Sequence, residues 1–449
     1  MRRLVLSDLR HSWRIWVGAL LLITLTQLIA AWMGAIMAHG ISNQDDPTTA
    51  DLAEGLTAAA GTCGFILVLA IISSIRSVTS LVVFQRRRLL ALWQLAGMTD
   101  RQVSGIVTLQ LVAVGLAASV LGGLLAAVSI GGVIDYIAEN GLSSPEMTRS
   151  AVPGGLLCGL GAGMLTVVIS ARLLNREIRR VQALDALRAV GVRDQRMTVG
   201  RWIVAALTLA AAGGLVALIV QAKRPSDSFG FLVFVMLLLL ASVSAAGPIV
   251  VIPVMRAWTS LVPPARSASW LLARRTMTTS TARAVSSVVP VAIAFILVVG
   301  LYSSAETVAA ALDADIVFSI FAVVVLIGLP LLVSLAAAAV MVFMTGQQRE
   351  REIALSALAG ATPAQQFLQA IFEAVIVVIT GALIGLVCVL ATLAALQPSI
   401  ISVTGGPIIR LAWVPMACIL AFVLTTNLIA VLIPTFASQR RNSARILVA

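Results

Sequence analysis

The sequence predicts an all-α polytopic membrane protein with ten transmembrane helices. Three observations predict it: an apolar composition, ten apolar runs of membrane-spanning length, and a one-sided distribution of arginine. Of 449 residues, 60% are hydrophobic and 11% charged, with a mean hydropathy of +1.04. Soluble domains carry about 25% charged residues, so most of this surface is built to face lipid. The runs lie near 15–37, 62–83, 105–134, 152–171, 202–220, 229–255, 285–302, 316–344, 366–396 and 411–434. A helix needs about 20 such residues to cross about 30 Å of hydrocarbon.

The first run follows Arg2, Arg3, Arg10 and Arg14, but it is longer than the roughly 7 to 15 apolar residues of a secretory signal and reads as a span. The fifth and sixth runs are separated by the polar tip Lys223 to Ser228. With ten spans and a cytoplasmic N-terminus, inner segments hold 26 arginines, whereas the outer loops hold only Arg149, Lys223, Arg224 and Arg410 as basic residues. That bias obeys the positive-inside rule and would reverse if one span were miscounted. The chain therefore reads as a multi-pass membrane protein with both termini cytoplasmic, and its arginine-for-lysine, alanine-rich usage points to a bacterial cytoplasmic membrane. The outer loops carry Asp45, Asp46, Asp51, Glu54, Asp135, Glu139, Glu146, Asp227, Glu306, Asp313 and Asp315. They are too short for an extracellular domain with its own core. Those acids read as a solvated rim, with a cation-attracting vestibule as the sharper alternative.

The charge balance excludes other classes. The formal net charge of +12 comes from 31 basic and 19 acidic residues, and topology accounts for it without nucleic acid. Lys223 is the only lysine, and Gln221, Ala222, Arg224 and Pro225 around it form no phosphate cradle. A P-loop needs its lysine after the glycines, so the chain holds no P-loop. Cys63, Cys158, Cys388 and Cys418 lie in or beside apolar runs without metal-ligand spacing. His11 and His39 have no acidic or serine partner at motif spacing. No catalytic, cofactor or metal site is read in this chain.

Compared with itself, the chain repeats. RRRLLALWQLAGMTDRQ from Arg86 aligns with REREIALSALAGATPAQ from Arg349, with nine of seventeen positions identical at a constant offset of 263. The identities pair Arg86 with Arg349, Arg88 with Arg351, Leu92 with Leu355, Leu95 with Leu358 and Gly97 with Gly360, among others. The same offset brings Gln110 onto Glu373, Gly122 onto Gly385, and the third span over the ninth. Each copy predicts a short amphipathic helix that starts at the cytoplasmic end of a span with arginine near the headgroups. It stops at a glycine suited to a left-handed C′ position, before a threonine that caps the next helix. Two related helices at equivalent depth suit two equivalent cytosolic partners.

At these residues the chain resembles the FtsX-like permease family, the membrane half of ABC transporters of the MacB, BceB or mechanotransmission type. REREIALSALAGAT is close to the family pattern RxREIAxLxAxGA, while RRRLLALWQLAGMT has Leu89 where the pattern has glutamate. REIRRVQALDALRAV after the fourth span resembles the family's basic tail, and SQRRNSARILVA is a weaker copy. The resemblance implies five segments. These are 1–61, a first span and outer loop; 62–190, a first core of spans two to four; 191–283, linking spans five and six; 284–315, span seven; and 316–449, a second core of spans eight to ten. It is similar to the ten-span order of BceB-type permeases. Those carry a large extracellular domain between spans seven and eight, where this chain has only residues 302–315.

The resemblance also implies partners. A separate cytosolic ABC ATPase, in two copies, binds the ATP and Mg that this chain does not, and its closure pushes the two repeat helices. The coupling residues are then Arg86, Arg88, Leu92, Trp93, Leu95 and Gly97, with Arg349, Arg351, Leu355, Leu358 and Gly360. Trp93 reads equally as an interfacial anchor, as Trp13, Trp16, Trp202 and Trp270 do. Within the apolar runs, Arg76 lies near an inner end and snorkels, and Glu373, opposite Gln110, reads first as a packing or hydrogen-bonding residue. Gly159, Gly161 and Gly163 predict close helix approach, and prolines 153, 248, 253, 290, 330, 415 and 434 either kink spans or stand at their ends. The function expected is that of an ABC transporter permease that couples ATP hydrolysis by the separate ATPase to export or membrane extraction of an amphiphilic compound, such as an antibiotic, lipid or peptide. The alternatives are an ion-gradient-driven secondary transporter, disfavoured by a midplane almost free of acids, and a non-transporting relay to a cell-envelope partner.

Overall fold

The computed structural model describes residues 13–42, 89–139, 151–178, 199–221, 225–263, 267–279, 281–312, 355–358 and 360–439, with six separate positions between 57 and 68. The eighth expected span, most of the second, and Arg76, Arg86, Arg88, Arg349 and Arg351 lie outside these residues. Regular structure among the described residues is helical: α1 Trp13–Ser42, α2 Asp100–Glu139, α3 Ala151–Ile178, α4 Val199–Gln221, α5 Pro225–Thr259, α6 Ala268–Thr279, α7 Thr281–Leu312, α8 Pro363–Thr404 and α9 Trp413–Gln439. Seven of these, α1 to α5 with α7 and α8, are long and apolar enough to cross a membrane, and α9 carries the shorter apolar stretch Trp413–Ile429. The chain is a multi-pass membrane protein.

The described helices fall into two compact units. In the first, α1, α2 and α3 pack pairwise as a bundle. Lipid tails are as apolar as leucine, so close approach of small residues does the packing here. Gly155, Gly159 and Gly163, four residues apart, form one ridge of α3. A Cβ on Gly155 would lie 2.6 Å from the Ala31 carbonyl oxygen, on Gly159 2.8 Å from Ala31 Cβ, and on Gly163 2.9 Å from Gln27 Oε1. Gly161, expected to share this role, faces open space instead, because two residues turn it about 200° around the helix. Gln27 Nε2 donates to the Ser119 carbonyl at 3.2 Å, and Trp32 Nε1 to Ser129 Oγ at 2.8 Å, joining α1 to α2.

In the second unit α4 to α9 gather around α8, which packs against every other helix of the unit. Gly381 and Gly385 admit α7, where an added Cβ would meet Val291 Cγ1 at 2.6 Å and Phe295 Cδ1 at 2.7 Å. Pro248 and Pro253 lie inside α5, Pro290 inside α7 and Pro398 inside α8. Each frees the carbonyl four residues back from its intrahelical hydrogen bond. Pro153 and Pro415 stand in the first turns of α3 and α9, where no amide donor is required.

The far end of α8 is closed by a loop. Gly405 caps the helix at φ +72. Gln397 clamps the following segment: its Nε2 donates to the Ile408 carbonyl at 2.8 Å and its Oε1 accepts from Ile408 N at 3.1 Å. Thr307 Oγ1 of α7 does the same for Arg410, and Ser303 Oγ accepts from Ala412 N. The polar backbone of this loop is thereby satisfied within the protein.

Candidate functional site

The two repeat copies are built the same way, atom for atom, at their turns. In the first, a helix over 89–95 ends at Gly97, φ +92, with Gly97 N donating to the Gln94 carbonyl at 3.0 Å and Met98 N to the Trp93 carbonyl at 3.0 Å. In the second, Gly360 has φ +91, Gly360 N donates to the Ala357 carbonyl at 3.0 Å and Ala361 N to the Ser356 carbonyl at 2.9 Å. This pair of bonds is a Schellman stop. The next helix then starts on a reciprocal cap: Thr99 N donates to Gln102 Oε1 at 3.0 Å and Gln102 N to Thr99 Oγ1 at 3.4 Å, as Thr362 and Gln365 do at 3.0 and 3.3 Å. The expectation for Gly97, Gly360 and the capping threonines is met. The glutamine half of each cap was not anticipated, although the T-x-x-Q spacing shared by both copies carries that signal.

Stop and cap together hold each short helix at a set angle to the long helix that follows. That long helix, α2 or α8, has 40 or 42 residues and is about 60 Å long at 1.5 Å per residue. A bilayer's hydrocarbon is about 30 Å thick, so part of each must stand outside it. The Thr99 and Thr362 ends begin with Arg101 and Gln102, and with Gln365, Gln366 and Gln369. Polar starts of this kind suit a position beyond the hydrocarbon.

On each turn the same two leucines face outward. Leu92 and Leu95 are 50% and 54% exposed, and their equivalents Leu355 and Leu358 54% and 66%. Three residues apart, each pair shares one helix face. Leu90 and Ala91 of the first helix are buried, and Trp93 is half-buried. The second turn is fixed to its long helix by Gln366 Nε2, which donates to Ser356 Oγ at 3.1 Å. The equivalent positions of the first copy are Val103, fully buried, and Trp93.

The second turn also has a brace that the sequence reading missed. α6 lies against the start of α8: Ser269 Oγ donates to the Gln365 carbonyl at 3.0 Å, and the Trp270 ring meets Trp258 edge-on at 6.0 Å and Phe372 at 5.4 Å. Trp258 Nε1 in turn donates to Thr380 Oγ1 at 2.9 Å. Trp16 and Trp270, expected as interfacial anchors, are buried, because each lies on the face its helix turns toward the bundle; Trp202 is exposed. The Trp13 side chain lies outside the described residues. A 12-residue amphipathic stretch between the sixth and seventh spans was the available sign of α6.

Gln110 and Glu373, paired by the repeat, are both buried within their helices' packed faces. Glu373 Oε1 accepts from Gln369 Nε2 one turn earlier at 3.2 Å. Among the described residues no group of His, Cys, Asp and Glu could hold a metal ion.

The model of the FtsX-like permease C-terminal family matches residues 61–183 and 324–442. The two matches begin 263 residues apart, the offset at which the turns coincide, and together they cover more than half of the chain. No curated protein matches it. FtsX-like permeases are generally non-catalytic membrane subunits of ABC transporters that partner with cytosolic ATPases. On the extent of these two matches, the chain belongs to the FtsX-like permease family.

Proposed function

We propose that this permease is driven by two copies of a separate cytosolic ABC ATPase, one at each repeat turn, and that it exports an amphiphilic compound or extracts it from the membrane. The observation that carries the reading is the pair of matched turns, each with an outward leucine pair held by a Schellman stop and a reciprocal cap. Covering the exposed halves of two leucines contributes about 2 kcal/mol per turn, and a rigid turn passes a push to the following helix rather than absorbing it. The ATPase supplies the ATP and Mg site, since this chain's one lysine stands in no P-loop. In this reading the turns and both termini are cytoplasmic, the membrane is a bacterial cytoplasmic one, and Arg86, Arg88, Arg349 and Arg351 flank the docking helices.

The arrangement of segments is then that of the MacB or BceB type with the large extracellular domain absent, so substrate reaches the permease sideways through lipid. The test is stoichiometry. Permease purified from its native host should carry two ATPase equivalents by intact mass and hydrolyse ATP. Leu92→Asp with Leu95→Asp should remove one equivalent, and Leu355→Asp with Leu358→Asp the other, with the permease's own melting unchanged. Transport that follows a proton gradient with no bound ATPase would establish the secondary-transporter reading in its place.

A further inference from the structure

Between Asp227 and Glu306 the chain has no acidic residue, yet it holds Arg256, Arg266, Arg274, Arg275 and Arg283. α6 lies in the middle of this stretch, and its two faces differ. Ser269, Trp270, Ala273 and Met277 are buried against the unit. Ala268, Leu272, Arg275 and Thr279, at helical spacing, face out, with Leu272 46% exposed. Just before α6, Leu261 is 82% exposed, and Arg256, at the last turn of α5, is exposed as well. The outward face thus joins leucine to arginine. A face built for water would be polar throughout, and one built for the hydrocarbon would carry no arginine; the combination suits the headgroup boundary, with leucines in the acyl edge and guanidinium groups at phosphate level. No acidic residue lies on α6 or in the last turns of α5 beside Arg256, Arg274 and Arg275.

We propose that α6 and the end of α5 form a binding site for anionic phospholipid, its headgroup phosphate held by Arg256, Arg274 and Arg275 and its acyl edge by Leu261 and Leu272. The site lies on the outward face of α6, whose inward face braces the start of α8 through Ser269 and Trp270. Lipid seated there holds α6 in place from outside, as α8 does from inside.

The test uses the full chain, purified and exchanged into phosphatidylcholine bilayers with or without phosphatidylglycerol, with retained lipids counted by intact mass. The wild type should retain phosphatidylglycerol in preference to phosphatidylcholine. Arg275→Gln should weaken that preference about fivefold, and Arg274→Gln with Arg275→Gln by about fivefold again, the change expected of each basic side chain at a charged membrane surface. Arg410→Gln, at the opposite end of α8, should leave it unaltered. Equal retention of both lipids, equal retention by the double variant and the wild type, or an equal loss in Arg410→Gln would overturn the proposal. So would a rise in melting temperature with inorganic phosphate alone that matches the rise with phosphatidylglycerol, because the acyl edge would then contribute nothing. Leu272→Gln separates the two halves of the site: it should lower retention while leaving the salt dependence of binding intact.

Discussion

Gly97 and Gly360, 263 residues apart, adopt the same left-handed backbone, φ +92 and +91, and each ends a short helix with the same two hydrogen bonds. A Cβ at either position would meet nothing within 4 Å, so backbone conformation and not space makes glycine the fitting residue. An L-residue in this region costs about 1 to 2 kcal/mol. Gly97→Ala and Gly360→Ala should each destabilise by that amount, and the asparagine variants by less. Melting temperatures of the single variants in detergent check this; an unchanged melt for both alanines would show that the turns are not held by their stops.

The caps beyond those glycines are the second half of the same rigid turn. Thr99→Ala and Thr362→Ala each remove one side of a reciprocal cap and should cost about 1 kcal/mol. Hydrogen exchange at the amides of Gln102 and Gln365 should rise in the corresponding variant and stay level in the other copy. Exchange rising equally over a whole long helix would mean that the cap holds more than its first turn.

The α3 ridge separates glycines that differ only in azimuth. Gly159→Leu should unfold or loosen the first unit, because its side chain would run into Ala31 and Gln27, whereas Gly161→Leu, facing open space, should be tolerated. Comparing expression and thermal stability of the two variants decides it; equal damage from both would remove the seam.

Trp270 holds α6, α5 and α8 together at the second turn. Trp270→Ala should cost about 3 to 5 kcal/mol, the range for large-to-small changes in a packed interior. Trp202→Ala, at an exposed position, should cost far less. Intrinsic fluorescence and melting of the pair measure the difference.

At the far end of α8, Gln397→Leu keeps the volume but leaves both polar groups of Ile408 without their partner. Each such group costs about 1 to 3 kcal/mol when buried. Limited proteolysis within residues 405–412 should therefore accelerate in Gln397→Leu and in Thr307→Val. Cleavage at the wild-type rate in both would contradict the clamp.

The sequence by itself determined the helical class, the membrane setting, the internal repeat and the geometry of its two turns. Those features depend on composition, on run length, and on hydrogen bonds between residues three to five apart, such as Gly97 with Gln94 and Thr99 with Gln102. Tertiary structure decided which faces meet. That Gly159 packs while Gly161 does not, that Trp270 is buried while Trp202 is exposed, and that Gln397 reaches Ile408 all depend on how each helix is rotated against neighbours distant in sequence. In an apolar membrane segment nearly every face is hydrophobic, so periodicity carries little information about rotation, and only the packed small residues and buried hydrogen bonds set it.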